Sequence, residues 1–190
     1  MDIQTDSDES LAKAALKNEA AFGTLIDRYD AKLRRYVRRL GVHRPEDQDD
    51  VLQEVFIKVY RNLNGFDETL SFSSWIYRIT HNESISWYRK ENVRPEGHLV
   101  SAGDDIVGLL QSDSDSAESV LSRKFDTAAL ESALLGLDDK YREVLILRFF
   151  EYKEYDEISD ILKIPIGSVG TLIHRAKKKL HSTLESTYEV

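Results

Sequence analysis

The sequence predicts an all-α protein of two small helical domains joined by a flexible linker, the C-terminal domain carrying a helix-turn-helix. Three observations predict it. Apolar residues recur at three- and four-residue steps over most of the chain, the period of amphipathic helices. Gly and Pro are few, 9 and 3 in 190 residues, which disfavours a turn-rich β-sandwich. From residue 92 to residue 123 the period lapses into an acidic stretch rich in Gly, Ser and Asp, the composition of a linker. The expected domains are therefore residues 1–91 and 124–190, with 92–123 between them.

The first strong helical signal runs from Ala20 to Leu40. Phe22, Leu25, Ile26, Tyr29, Leu33, Tyr36, Val37 and Leu40 fall on one stripe, with the arginines mostly off it. Asn18 is placed to cap its start. A break from Gly41 to Pro45 precedes an acidic helix start, Glu46 to Asp50, where carboxylates complement the partial positive charge of the helix end. Val51, Leu52, Val55, Phe56, Val59, Tyr60 and Leu63 form the next stripe, and Asn64 and Gly65 end it. A third helix begins near Ser71, with Phe72, Trp75, Ile76 and Ile79 on one face. A polar break is expected at Thr80, His81, Asn82 and Glu83, followed by a short apolar and basic segment, Ile85 to Lys90.

The second domain starts near Lys124. Leu130, Leu134, Leu135 and Leu137 mark one helix; Val144, Leu145 and Leu147 mark the next. Ile158, Ile161 and Leu162 mark a short helix, and Lys163, Ile164 and Pro165 a turn. Val169, Leu172, Ile173, Ala176 and Leu180 define a last helix with a basic outer face. Two short helices joined by a tight turn, the second basic on its open side, make a helix-turn-helix.

Composition narrows the function classes. There is no cysteine, so disulfides and thiolate metal sites are excluded, and a reducing cytoplasm is the expected setting. No apolar run approaches the roughly 20 residues that span a bilayer, and the first ten residues are acidic and polar, the opposite of a secretory signal. The five histidines show no metal-ligand spacing, and no Gly-rich phosphate loop is present. We therefore expect no catalytic residue, metal, cofactor, small-molecule substrate or membrane insertion.

The net charge of −8 argues against a simple DNA-coating protein, but its distribution is uneven. Residues 31–44 carry Lys32, Arg34, Arg35, Arg38, Arg39 and Arg44 without an acid. Residues 101–119 carry Asp104, Asp105, Asp113, Asp115 and Glu118 without a base. Residues 170–181 carry Arg175, Lys177, Lys178 and Lys179, again without an acid. Basic blocks separated by acidic ones suit local DNA contacts on a protein with little overall pull towards DNA, and the acidic linker is expected to oppose DNA binding by the isolated protein.

Three segments in this order resemble the bacterial RNA polymerase sigma factors of the extracytoplasmic-function group. The first is Asp50-Val-Leu-Gln-Glu-Val-Phe56 with Val59-Tyr-Arg-Asn-Leu63. The second is Phe72-Ser-Ser-Trp-Ile-Tyr-Arg-Ile79 with Asn82. The third is Tyr141-Arg-Glu-Val-Leu145 with Ile158, Ile164-Pro-Ile-Gly-Ser-Val169 and His174-Arg-Ala-Lys177. The resemblance implies that the first domain docks on the polymerase core and opens the promoter minus-ten element. It implies that the second reads the minus-thirty-five element as duplex, and that an anti-sigma protein controls both.

The resemblance also assigns residues. Asp50, Gln53 and Glu54 lie off the apolar stripe of their helix, and by resemblance this polar face meets a coiled coil of the polymerase. Carboxylates and amides there can pair with Arg and Lys of a partner; the bland reading is a solvated face. For minus-ten DNA, Tyr77, Trp87 and Tyr88 offer rings for stacking on single-stranded bases, worth roughly 1–3 kcal/mol per base. Asn82 offers a donor and an acceptor to an extruded base, or caps the helix that follows it. Arg78, Arg89 and Lys90 suit phosphates. Trp75 is assigned to core packing. For minus-thirty-five DNA, the candidates are Ser168, Thr171, His174, Arg175, Lys178 and Lys179; the lysine run also suits a solvated helix C-terminus. Two departures stand out. Gly170 and Leu172 replace cations common in the family, from which weaker or altered minus-thirty-five recognition is expected, and Ser86 and Trp87 stand where Asp and Arg are usual. The alternatives are a sigma-like adaptor without promoter binding and a dimeric helix-turn-helix repressor.

Overall fold

A computed structural model describes residues 6–67, 69–91 and 133–188. The chain divides into two compact units, and the described residues are helical with short connections. The expected linker, 92–123, and the expected helix start near Lys124 and Leu130 lie outside the described residues.

Residues 6–91 form four helices. α1 spans Asp8–Ala15, α2 Glu19–Arg39, α3 Pro45–Asn62 with a 3-10 turn at Leu63–Gly65, and α4 Phe72–Glu91. The termini follow the chemistry read from the sequence. The Asn18 side chain accepts from the Ala20 N–H at 3.0 Å. Pro45 sits in the first turn of α3 with Glu46 and Asp47, where a missing N–H costs nothing. Gly41 ends the α2 connection at φ +111°, a left-handed conformation that favours glycine. A Cβ there would also stand 3.2 Å from the Tyr88 ring. Buried Gln48 donates from Nε2 to the Val42 and His43 carbonyls at 2.9 and 3.1 Å, which satisfies the loop between α2 and α3.

α1 has no counterpart in the sequence reading, which began at Ala20. Ser7 caps it, accepting from the Ser10 N–H at 3.2 Å, and Leu11, Ala12 and Ala15 are buried. Asp8 accepts from Arg28 Nη1 at 2.7 Å and from the Tyr29 hydroxyl at 2.5 Å. Burial, and next the bond to Asp8, hold the Tyr29 hydroxyl well above its ordinary pKa. Glu9 Oε1 accepts from the Phe72 N–H at 3.1 Å. A side chain of α1 therefore satisfies one of the N–H groups that every helix start leaves without an internal partner.

α2 and α4 pack in parallel, with contacts that advance together along both helices. Tyr29 meets Phe72, with ring centroids 5.6 Å apart. Tyr36 meets Tyr77 at 5.1 Å and His81 by a 3.1 Å hydrogen bond at Nδ1. Gly41 meets Tyr88. α3 is tied to α4 by an ion pair between Lys58 and Glu83.

The polar break expected at Thr80 to Glu83 does not exist: α4 is one helix of 20 residues. Thr80 Oγ1 donates to the Ile76 carbonyl and Ser84 Oγ to the Thr80 carbonyl, both at 2.8 Å. Thr80, His81 and Ser84 are buried, and their polar atoms bond within the helix or across to α2. Hydroxyls that bond one turn back are compatible with a continuous helix.

In residues 133–188, α5 spans Asp139–Leu145 and runs into a π-helical turn at Ile146–Phe150. α6 spans Tyr155–Leu162 and α7 Ile166–Tyr188. Val144, Leu145, Leu147, Ile158, Val169 and Ala176 are fully buried. The Glu154 N–H donates to Glu157 Oε2 at 3.0 Å, the carboxylate half of a capping box at the start of α6. Between α6 and α7, Lys163 takes φ +54° and Pro165 accepts from the Ser168 N–H at 2.8 Å. The expected helix-turn-helix is formed with its turn where the sequence placed it.

Candidate polymerase and nucleic-acid interface

On α3, Asp50, Gln53 and Glu54 are exposed. Asp50, Glu54, Ile57 and Arg61 follow at steps of four, three and four, and so line one face. Beside them lies an open apolar groove of about 400 Å³ lined by Phe22, Gln53, Phe56, Ile57, Tyr60 and Arg61. Tyr60 is 52% exposed and packs edge-on against Phe22 with ring centroids 5.1 Å apart. The apolar stripe read from the sequence includes Phe56 and Tyr60; the structure half-buries the first and exposes the second. The signal was the width of that stripe, because seven large apolar residues between 51 and 63 exceed what one helix face buries. An acidic ridge beside an apolar groove suits a partner helix with basic and apolar positions.

On α4 the seven candidates divide among three faces. Arg78, Asn82 and Arg89 share the outward stripe by their spacing of four and seven; Asn82 and Arg89 are exposed and Arg78 is half-buried. Because α4 is unbroken, Asn82 caps no helix, and the capping alternative falls away. Trp87 and Lys90 share a stripe with Glu83, on the side where Glu83 pairs with Lys58; Trp87 is half-buried and Lys90 exposed. Tyr77 and Tyr88 turn towards α2. Tyr77 is 3% exposed and packed on Tyr36, so its ring is a core element and offers no face to a base. Tyr88 is half-buried with one edge on Gly41. Trp75 is also half-buried, packing on Phe66 and Phe72 at 5.1 and 5.6 Å, the packing role assigned to it.

On α7, Thr171, His174, Arg175 and Lys178 are exposed and Ser168 is half-buried; helical spacing puts all five on one side. Lys179 lies on their flank and turns back towards α5. Its Nζ is 3.8 Å from an Asp138 carboxylate oxygen and 5.2 Å from the Tyr141 ring centre, so its charge is partly engaged within the fold. Lys177, off the face, lies 4.8 Å over Phe149. The two substituted positions sit at opposite margins. Gly170 faces α6, where a Cβ would be 3.4 Å from the Tyr155 ring, and half-buried Leu172 borders the Lys179 side. The missing cations therefore thin the edges of the face and leave its centre intact. Leu172→Arg is expected to restore one phosphate contact and to steepen the salt dependence of duplex binding by about 0.9 in log K against log salt. An unchanged slope in filter binding contradicts this.

Among the described residues, no His, Asp and Glu side chains cluster to hold a metal ion. No described helix is long and apolar enough to cross a membrane.

Residues 25–94 match the family described as Sigma-70 region 2, and residues 127–180 the family described as Sigma-70, region 4. The ECF RNA polymerase sigma factor SigW of Bacillus subtilis (strain 168) is 33% identical over 174 residues, 88% of this chain and 90% of that protein. The RNA polymerase sigma factor CnrH of Cupriavidus metallidurans is 32% identical over 190 residues, 97% of each chain. The solved structure of CnrH in complex with the cytosolic domain of CnrY is similar at a TM-score of 0.70 and 27% identity, covering 95% of this chain and 99% of that one.

Proposed function

The chain belongs to the RNA polymerase sigma factors of the extracytoplasmic-function group, and from that premise we propose how its surfaces are divided. The α3 ridge of Asp50, Gln53 and Glu54, together with the groove beside it, receives the polymerase core. The outward stripe of α4 with Trp87 takes the melted minus-ten strand. The open side of α7, from Ser168 to Lys178, enters the major groove of the minus-thirty-five element. Residues 92–123 link the two domains. The protein acts in the cytoplasm as an initiation factor, and the chemistry of RNA synthesis stays with the polymerase.

The observation that carries this reading is that each unit presents its own DNA-suited face. An exposed Asn and Arg lie on one helix of the first, and hydroxyls, His, Arg and Lys on the second helix of the helix-turn-helix in the other. A dimeric helix-turn-helix repressor has no use for the first of these, nor for the acidic ridge of α3. The complex of CnrH with the cytosolic domain of CnrY supports control by a bound protein, which we assign to an anti-sigma protein.

The test is run-off transcription with purified polymerase core, this protein and a pool of genomic promoter fragments. Discrete transcripts that depend on the protein are expected, and their start sites define both elements. Core binding without any transcript overturns the reading in favour of an adaptor and places Gly170 and Leu172 at the centre of the explanation.

A further inference from the structure

Four basic residues of α2, Arg28, Lys32, Arg34 and Arg35, are unused in the division above, and they are of two kinds. Arg28 is paired with Asp8 at 2.7 Å. Arg34 is paired with Asp49 at 2.6 Å and Asp30 at 3.5 Å, and the Asp49 carboxylate raises its pKa further. These pairs face α1 and α3. Lys32 and Arg35 are exposed and form no ion pair among the described residues. Lys32 only lies over the Tyr29 ring, 5.4 Å from its centre.

Their position is fixed by the parallel packing of α2 on α4. Lys32 is one helical turn before Tyr36, the residue that bonds His81, and so borders α4. Arg35 follows Lys32 by three residues on the solvent side. Across the helix pair, Asn82 follows His81 and shares its outward stripe with Arg89. Packed helices lie about 8–10 Å apart, within reach of Lys and Arg side chains from either rim. The pair therefore forms a surface with Lys32 and Arg35 on one margin and Arg89 with Asn82 on the other. Exposed like charges held together repel one another, and a polyanion relieves this by bridging them.

We propose that Lys32 and Arg35 of α2 contact backbone phosphates of the melted promoter strand, extending the single-strand surface of α4 across the helix pair. This rests on the sigma-factor reading above. The occupant is DNA because Lys32, Arg35 and Arg89 are exposed cations, and Asn82, which suits a base edge, stands on the same α4 stripe as Arg89; Arg78 of that stripe is already paired with Asp160 at 2.7 Å and is left out of the surface. The acidic ridge and apolar groove on α3 have the opposite character.

The test uses holoenzyme reconstituted from polymerase core and the full chain, on a promoter fragment from the run-off experiment with its minus-ten strands mismatched. Each phosphate contact to a single strand contributes about 0.7 to the slope of log K against log salt. Lys32→Gln/Arg35→Gln is therefore expected to flatten the slope by about 1.4. Arg34→Gln, on the same helix with its charge already paired, leaves it unchanged. An unaltered slope in the double variant, with the wild type initiating normally, overturns the proposal alone. Loss of core binding by the double variant also overturns it and makes the surface a polymerase contact. A wild type that initiates nowhere overturns the sigma-factor reading and this inference with it.

Discussion

Replacing Phe72 with alanine is expected to destabilise the first unit by about 3–5 kcal/mol, the range for deleting a buried aromatic side chain. Phe72 is 0% exposed. Its ring touches those of Tyr29, Phe66 and Trp75 at centroid distances of 5.6, 5.4 and 5.6 Å, so its loss empties the point where α2, α4 and the connection after α3 converge. A domain of this size holds about 5–15 kcal/mol in total, so the variant sits near the folding threshold. The chain has two tryptophans, Trp75 and Trp87, and both are on α4. Tryptophan fluorescence in urea therefore follows this unit and not the other. Phe72→Leu is expected to retain most of the stability, and an unchanged midpoint for Phe72→Ala contradicts the central place given to the ring.

The second large effect is on pH dependence. Burial pushes His81 down to a pKa of about 4 from its ordinary 6.5. The neutral ring bonds the Tyr36 hydroxyl in a position where a charged ring is disfavoured. Between pH 6.5 and 4 the unfolded chain binds a proton that the folded chain refuses. Stability is therefore full above pH 6.5 and falls as pH drops through this window, by up to about 3 kcal/mol. His43, also held low by burial, acts in the same direction. Comparison with His81→Gln isolates the His81 contribution, since His43 is common to both proteins. The difference in unfolding free energy between the two proteins is expected to shrink steadily from pH 7 to pH 4; a constant difference contradicts it. The functional consequence falls on Asn82, whose place on α4 is set one residue from this bond.

Periodicity alone located α2, α3 and α7, because each carries a strong apolar stripe whose partners are also apolar. The helix-turn-helix was legible for the same reason, with Pro165 marking the turn. It failed where polar residues are satisfied at long range. Thr80, His81 and Asn82 look like a break because the partner that makes His81 a core residue, Tyr36, is 45 positions away. α1 was missed because its buried set, Leu11, Ala12 and Ala15, is small and its anchors are the carboxylates of Asp8 and Glu9, which read as a solvated terminus. Residue type singled out the candidate DNA residues of α4 but not their orientation. Tyr77 and Tyr88 are as suited to stacking as any exposed ring, yet the helix turns both towards α2. On α7, Lys179 belongs by composition to the basic face and by geometry to α5.

The bond from the Phe72 N–H to Glu9 also sets an order of events in synthesis. The two residues are 63 positions apart, so at about 5–20 residues per second several seconds separate their appearance. During that interval α1 exists without the helix start it caps, and closing so long a loop carries an entropic cost that local contacts do not. α1 has nearer partners in Arg28 and Tyr29 of α2, 20 and 21 positions from Asp8, so it docks on α2 first, and the start of α4 gains its Glu9 acceptor only once Phe72 has been made.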